Sequence, residues 1–101
     1  SRIRALLLRM AASGKHTAAI CAAPMALAVA GLLDGKRATA YPGVLDNLDL
    51  PHTDKRRDAV VVDGKVVTSR GPGTAMDFAL TLIEILVGRE KRDQVEAGLV
   101  R

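Results

Sequence analysis

The chain has 101 residues, of which 49% are hydrophobic and 26% are charged, and its formal net charge is +4. This length and apolar content predict one globular unit and exclude an intrinsically disordered chain. A single cysteine excludes an internal disulfide framework and favours a reducing compartment, so we expect a cytoplasmic protein.

The first predicted element is an amphipathic helix that Ser1 caps and Ser13 ends. Its apolar positions follow the spacing i, i+3, i+4, i+7 and are Ile3, Leu6, Leu7 and Met10. Residues 16–20 then predict a short buried strand. Pro24 fits the first turn of a second helix, which we expect to run to Gly31.

The middle of the chain predicts short strands. A turn at residues 34–36 leads into a strand over residues 37–41, and the polar residues 44–58 are interpreted as a loop. Two β-branched runs, residues 59–62 and 66–69, flank an Asp-Gly-Lys sequence, which is typical of a β-hairpin.

The last third predicts a tight loop over residues 69–73 and then a helix, with Thr74 as its cap and Asp77 in the capping-box position. The apolar stripe of this helix comprises Ala75, Phe78, Ala79, Leu82, Ile83, Leu86 and Val87. Gly88 ends it, and residues 90–97 predict a short basic helix. The order of helices and strands indicates the α/β class. With only two short parallel strands and a hairpin, the chain looks like half of a doubly wound domain.

Several classes of partner are not expected. The basic residues lie in short clusters without the stacking aromatics of nucleic-acid modules, since Tyr41 and Phe78 are the only aromatic residues. The longest uncharged stretch contains Pro24 and Gly31 and indicates a buried strand and helix, whereas a membrane span needs about 20 apolar residues. One cysteine and two separated histidines do not form a zinc pattern, so we expect neither metal nor other cofactor.

Cys21 is the strongest candidate for chemistry. It follows a predicted strand and precedes a predicted helix, among small residues, as a nucleophile elbow requires. The helix start is expected to stabilise a thiolate, and the amides of Ala22 and Ala23 are expected to be free to bind an oxyanion or an oxidised sulfur. The alternative interpretation is a buried and unreactive cysteine.

The segment Ala18-Ala19-Ile20-Cys21-Ala22-Ala23-Pro24 strongly resembles the cysteine elbow of the ThiJ/PfpI superfamily. The resemblance continues, in family order and spacing, over nearly the whole chain, through residues 35–43, 61–64, 68–75 and 86–90. The Gly-Pro-Gly and Val-Gly-Arg-Glu sequences are most similar to the protein-deglycase and YajL branch. The Tyr-Pro-Gly sequence is more similar to the PfpI branch.

The resemblance implies a flavodoxin-like three-layer sandwich with a mostly parallel sheet, usually assembled as a homodimer. It also implies that residues 1–101 are the C-terminal half of a single domain whose N-terminal half is absent from this chain. The start at Ser1 rather than Met agrees with that expectation. In the family, a glutamate of the N-terminal half hydrogen-bonds the reactive cysteine, and no residue here matches it.

The resemblance also implies a pocket around Cys21, formed by Tyr41 and by the loop of Gly71, Pro72 and Gly73, which in the family lies near the dimer contact. The protein-deglycase branch has a histidine where this chain has Tyr41. We expect Tyr41 either to hydrogen-bond near the thiolate or to pack at the strand end. His16 is a poor replacement because five strand residues separate its side chain from Cys21 by roughly 16 Å. His52, in the irregular region, is interpreted as a surface residue.

The function implied by the resemblance is that of a cofactor-independent glyoxalase or deglycase, which acts on small dicarbonyls such as methylglyoxal or on glycated adducts. One alternative is a redox-sensing oxidative-stress chaperone whose Cys21 is oxidised to sulfinate. Another is a PfpI-like hydrolase, which needs a histidine where Ala22 stands, and isonitrile hydration also occurs in the superfamily. The expected partners are the N-terminal half, a second copy of the protein, and a small aldehyde or dicarbonyl substrate.

Overall fold

The computed structural model describes residues 2–100, so the cap predicted at Ser1 lies outside the described residues. Residues 2–100 fold into four α-helices, five short strands and one 3₁₀ turn. In chain order these are α1 (Arg2–Ala12), β1 (Thr17–Ile20), α2 (Pro24–Val29), β2 (Arg37–Ala38), β3 (Asp54–Lys55), β4 (Val60–Asp63), β5 (Val66–Ser69), the 3₁₀ turn (Pro72–Thr74), α3 (Ala75–Val87) and α4 (Arg89–Leu99).

β5 is the central strand of a three-stranded sheet with the order β1-β5-β4. β1 lies parallel to β5, with Ile20 opposite Ser69. β4 lies antiparallel to β5 and forms the predicted hairpin with it. Gly64 at the hairpin turn has a φ of +59°, a conformation that glycine adopts without steric cost. The β2 and β3 strands form a separate parallel pair.

Helices cover both faces of β5, all four residues of which are buried. Alternate strand residues point to opposite faces. On one face, Val66 belongs to the main apolar core together with Leu27 of α2 and Leu33. On the other, the Ser69 hydroxyl lies 2.7 Å from that of Thr74, immediately before α3. The chain therefore has the predicted α/β fold, and α2 and α3 lie on opposite sides of the sheet.

The second strand is shorter than predicted, because residues 39–41 leave β2 to bond elsewhere. The Thr39 amide donates to the Thr68 side chain at 3.0 Å, and the Tyr41 amide donates to the Cys21 carbonyl at 2.8 Å. These two bonds carry the chain from β2 to the end of β1, which places Tyr41 beside Cys21.

The interpretation of residues 44–58 as a loop is wrong at β3, which pairs in parallel with β2. The Asp54 and Arg56 amides donate to the carbonyls of Lys36 and Ala38 at 2.9 and 2.7 Å. Both β3 residues are exposed and charged, so no apolar alternation marks the strand.

The capping box predicted at Thr74 and Asp77 is also wrong. Thr74 belongs to the 3₁₀ turn, and its side chain makes no capping hydrogen bond to α3. Its hydroxyl is instead engaged by Gly71 and Ser69.

Asp63 ties the hairpin to β2. Its carboxylate accepts the Arg37 amide at 2.8 Å, and the Arg37 guanidinium lies 3.7 Å away. The amide hydrogen bond, aided by the charges of Lys36 and Arg37, holds the pKa of Asp63 below its ordinary value.

The face formed by α1 and α2 keeps large apolar side chains exposed. Ile3 and Val29 are each 65% exposed, and Leu6 is 50% exposed. A groove of about 670 Å³ runs between the two helices, and its lining includes Ile3, Met25 and Ala22. No helix within residues 2–100 is long and apolar enough to cross a membrane.

Candidate active site

Cys21 occupies a sharp turn between β1 and α2. Its φ is +64°, in the left-handed region that costs a residue with a side chain about 1–2 kcal/mol. The Cys21 amide donates to the Ser69 carbonyl at 3.1 Å, and its carbonyl accepts the Tyr41 amide at 2.8 Å. The neighbouring strand β5 and the segment after β2 thus hold the strained residue from both sides. This geometry is that of a nucleophile elbow.

Only one of the two predicted backbone donors is free. The Ala23 amide donates to the Ile20 carbonyl at 3.1 Å, so the expectation that it is available to a ligand is wrong. The turn closes on itself at this point, before α2 begins at Pro24. The Ala22 amide donates no hydrogen bond to any part of the chain that the structure describes.

Gly71 lies between the Cys21 thiol and the Tyr41 ring. A β-carbon on Gly71 would stand 3.9 Å from Cys21 Sγ and 3.5 Å from Tyr41 Cδ2. The φ of Gly71 is 177°, which any residue can adopt, so its backbone does not require glycine. A longer side chain, however, would occupy the space beside the thiol. The structure thus brings Cys21, Tyr41 and Gly71 together, as the family resemblance implies.

A hydroxyl network fixes the loop that carries Gly71. The Thr74 hydroxyl accepts the Gly71 amide at 3.1 Å and lies 2.9 Å from the Gly71 carbonyl. It also lies 2.7 Å from the hydroxyl of Ser69, which donates to the Ala59 carbonyl at 2.8 Å. Through Ser69 and Ala59, the end of β5 and the residue before β4 therefore determine where the loop meets Cys21.

Two adjoining cavities open at Tyr41, whose side chain is 52% exposed. The first, of about 250 Å³, is lined by residues 70–74 together with Tyr41 and Pro42. All four predicted pocket residues, Tyr41, Gly71, Pro72 and Gly73, line this cavity. The second, of about 240 Å³, extends from Tyr41 and Arg70 to the basic residues 55–57. No sequence pattern predicted this second cavity, because its basic residues 55–57 fall in the segment interpreted as a loop and Arg70 lies 13 residues further along the chain.

Neither histidine lies in this site. His16 precedes β1, whereas Cys21 follows it. The carbonyl of His52 accepts the Gly35 amide at 2.8 Å, which places His52 before the start of β2, whereas Tyr41 lies beyond its end. Within residues 2–100, no three His, Cys, Asp or Glu side chains are grouped as a metal site would require.

The backbone strain at Cys21 predicts an unusual ranking of variants. Cys21→Gly should exceed Cys21→Ala in the free energy of unfolding by about 1 kcal/mol, because glycine relieves the left-handed conformation. The measurement is denaturant unfolding of both variants. As a control, Ala22→Gly should be destabilising, since φ is not positive at residue 22. A Cys21→Ala variant at least as stable as Cys21→Gly would contradict the strained elbow.

The Thr74 hydroxyl is predicted to stabilise the loop more than an ordinary helix threonine. Thr74→Val leaves the buried Gly71 amide without an acceptor and should lower the free energy of unfolding by about 1–3 kcal/mol. Thr81→Val is the matched control, since the Thr81 hydroxyl only adds a bond to the Asp77 carbonyl within α3. Its effect should stay within about 0.5 kcal/mol. Equal losses in the two variants would show that Thr74 does not hold the loop.

Comparison with known proteins identifies relatives of this site. The model of the DJ-1/PfpI family matches residues 1–85. The chain is 48% identical over 88 residues to protein DJ-1 homolog A of Arabidopsis thaliana, covering 86% of this chain and 22% of that protein. It is 44% identical over 95 residues to protein dj-1beta of Drosophila melanogaster, covering 94% and 51%. It is 38% identical over 90 residues to the glutathione-independent glyoxalase DJR-1.2 of Caenorhabditis elegans, covering 89% and 48%.

Solved structures give the same result. The crystal structure of Drosophila melanogaster DJ-1beta superposes with a TM-score of 0.88 at 44% identity, over 96% of this chain and 52% of that one. Oxidised Toxoplasma gondii DJ-1 superposes with a TM-score of 0.86 at 41% identity, over the same shares of the two chains. The chain thus spans about half the length, or less, of the relatives it matches. With the cysteine elbow, the Gly71 loop and the flavodoxin-like fold in place, this chain belongs to the DJ-1/PfpI family.

Proposed function

We propose that the protein is a cysteine-dependent glyoxalase that acts on small dicarbonyls and, by the same chemistry, on glycated adducts. The observation that carries this proposal is the elbow, where Cys21 stands at a φ of +64° beside the pocket of Tyr41 and Gly71. Its similarity to a relative described as a glutathione-independent glyoxalase supports the choice of substrate class. No cofactor is part of the proposal, and we expect the protein to work in the reducing cytoplasm.

The proposed active form includes an N-terminal half-domain that completes the sheet, and the assembled protein is a homodimer. Two observations support the need for such a segment. The chain spans about half of dj-1beta, and the α1–α2 face leaves Ile3 and Val29 each 65% exposed. Ala22 lines the groove on this face, so a covering segment would lie next to the elbow. By resemblance to the family, that segment supplies a glutamate to Cys21.

The first proposed step is addition of the Cys21 thiolate to the aldehyde carbon of methylglyoxal. A carbon–sulfur bond forms, the carbonyl double bond becomes an alkoxide, and protonation gives a hemithioacetal. The Ala22 amide is the backbone donor available to the developing oxyanion. A single donor of this kind contributes about 3–4 kcal/mol of transition-state stabilisation in other acyl-transfer enzymes.

The second step moves a proton from the former aldehyde carbon to its neighbour, which converts the hemithioacetal into a thioester. Water then cleaves the thioester, which regenerates the thiol and releases lactate, so that the net reaction adds one water to methylglyoxal. A base must carry the transferred proton, and a phenol is a weak base at neutral pH. With Tyr41 where relatives of the protein-deglycase branch have histidine, we assign this role to the proposed glutamate.

The proposal predicts how lactate formation from methylglyoxal responds to substitution in the full-length protein. Cys21→Ala should abolish it, because no other residue of the site can form the thioester. Tyr41→His should raise the rate by roughly tenfold or more, part of the factor of about 10²–10⁴ that general acid–base catalysis provides. His52→Gln should leave the rate unchanged, because His52 lies beyond the other end of β2.

Each outcome bears on a different part of the proposal. Lactate formation at the wild-type rate by Cys21→Ala would remove the enzyme proposal altogether. A slower rate in Tyr41→His would leave the cysteine in its role and show that the tyrosine itself serves proton transfer. The rate should be followed as enzymatically quantified lactate rather than as loss of methylglyoxal, since arginine and lysine side chains also consume the aldehyde.

Redox sensing is a second candidate function, and the backbone amide of Ala22, unpaired within the described residues, favours it. The Ala22 amide has no partner within residues 2–100, so it is available to an oxygen on an oxidised Cys21 sulfur. The solved structure of Toxoplasma gondii DJ-1 that resembles this chain is an oxidised form. In this role the protein itself would be a chaperone, and oxidation of Cys21 to sulfinate would change its chaperone activity. The PfpI-like hydrolase is not favoured, because Ala22 occupies the position of its histidine.

Mild peroxide is predicted to convert Cys21 to sulfinate and to stop there. Peptide mass spectrometry should show two added oxygens on the Cys21 peptide, and the peptide assignment separates this change from sulfoxide at the three methionines. Cys21→Ala is the control for the same peptide. Direct passage to the sulfonate, with no accumulation of the doubly oxidised species, would contradict stabilisation by the elbow amide.

A further inference from the structure

Cys21 itself lines neither of the two cavities at Tyr41, although its thiol lies beside Gly71, which lines the first. The second cavity is lined by an excess of positive charge. Four basic side chains, Lys55, Arg56, Arg57 and Arg70, border this space of about 240 Å³. One acidic side chain, Asp46, also lines it. Tyr41, Pro42 and Arg70 line both this cavity and the one beside Gly71, so the two spaces adjoin.

The four cations are not equally free. The Arg56 guanidinium pairs with the carboxylates of Asp54 and Asp58 at 3.3 and 3.4 Å, so its charge is more than compensated and the three groups together carry one negative charge. The Lys55 ammonium donates to the neutral Leu48 carbonyl at 3.0 Å, which leaves its charge in place. Within residues 2–100 the Arg57 side chain makes no hydrogen bond or ion pair of its own.

Arg70 is positioned by the same loop that carries Gly71. One of its terminal nitrogens donates to the Arg57 carbonyl at 2.8 Å, while its amide donates to the Ala59 carbonyl at 3.0 Å. The bond to a neutral carbonyl preserves the guanidinium charge and leaves its other N–H groups for a ligand. Lys55, Arg57 and Arg70 are thus three cations without a carboxylate partner within residues 2–100, against Asp46 and the one surplus negative charge of the Arg56 group.

We propose that this cavity is a specificity subsite for an oxyanion group, carboxylate or phosphate, that the substrate carries beyond its dicarbonyl unit. Arginine side chains bind the planar edge of both groups through paired N–H donors. The inference rests on the proposed function for the reaction, but the preference for anions near Cys21 is a property of the cavity alone. The preferred substrates would therefore be acidic 2-oxoaldehydes rather than neutral methylglyoxal.

Alkylation of Cys21 tests the subsite without any reference to catalysis. Iodoacetate and iodoacetamide react with the same thiolate but differ in charge, so the ratio of their rates reports the local field. At low ionic strength, Arg57→Gln and Arg70→Gln should each lower the iodoacetate-to-iodoacetamide ratio about two- to fivefold relative to wild type, because each removes one positive charge from the cavity. Salt should reduce the difference.

Arg89→Gln is the matched control. Residue 89 is exposed and lies beyond the 13 residues of α3, so it stands about 20 Å from the loop that begins at Arg70. The substitution removes the same charge but should leave the ratio unchanged. An equal fall in the Arg89 variant, or no fall in the Arg57 and Arg70 variants, would overturn the proposal.

Substrate preference then identifies the anion. We expect kcat/KM for 4,5-dioxopentanoate, which ends in a carboxylate, or for 3-phosphooxy-2-oxopropanal to exceed that for methylglyoxal by roughly tenfold or more, as a charge-assisted hydrogen bond would provide. Arg57→Gln should remove most of this preference, whereas Arg89→Gln should leave it at the wild-type value. Equal values for all three substrates in an active enzyme would overturn the proposal. An enzyme inactive on all three would contradict the proposed function, whereas the alkylation ratio would still decide the anion subsite.

Discussion

The strained main chain at Cys21 is the constraint on which the rest of the site depends. A φ of +64° at a residue with a side chain persists only where surrounding structure enforces it. Here the enforcing contacts are backbone hydrogen bonds, from Cys21 to Ser69 and from Tyr41 to Cys21. The same two bonds that hold the strain also bring the Gly71 loop and Tyr41 to the thiol. The strained backbone, the pocket and the position of the nucleophile therefore all depend on the same two hydrogen bonds.

The fold supplies these contacts because β5 lies at the centre of the sheet. Its last residue, Ser69, receives the Cys21 amide through its carbonyl, while its hydroxyl faces Thr74 at the start of the next helix. One residue thus connects the elbow, the hairpin and the Gly71 loop. The basic cavity follows from the same geometry, since Arg70 comes directly after Ser69 and its guanidinium reaches back to the Arg57 carbonyl.

Local patterns predicted the elements whose signals are local. The hairpin was predicted correctly because Asp-Gly-Lys between β-branched runs is typical of a turn. The α3 helix was predicted correctly because its apolar stripe is long and regular. The β3 strand could not be predicted, since two exposed charged residues carry no alternation and their pairing with β2 depends on the tertiary fold. Thr74 is the N-cap residue of α3, but the side-chain cap predicted there is absent for a related reason. Its sequence position suits a helix cap, yet the nearby Gly71 amide and Ser69 hydroxyl compete for its oxygen.

For the site, Cys21 was found from its place between strand and helix, and Tyr41, Gly71, Pro72 and Gly73 from resemblance to the family. The bonded state of the Ala23 amide was not foreseeable, because it depends on how tightly the turn closes on Ile20. The basic cavity was missed because Arg57 and Arg70 are 13 residues apart in sequence and come together only through their hydrogen bond.

A crystal structure of the reduced full-length protein tests the central claim most directly. The account predicts a positive φ at Cys21, with the thiol facing Gly71 and Tyr41 and the Ala22 amide unpaired within the chain. A Cys21 in extended or right-handed conformation, with its sulfur turned away from Gly71 into the sheet, would contradict it.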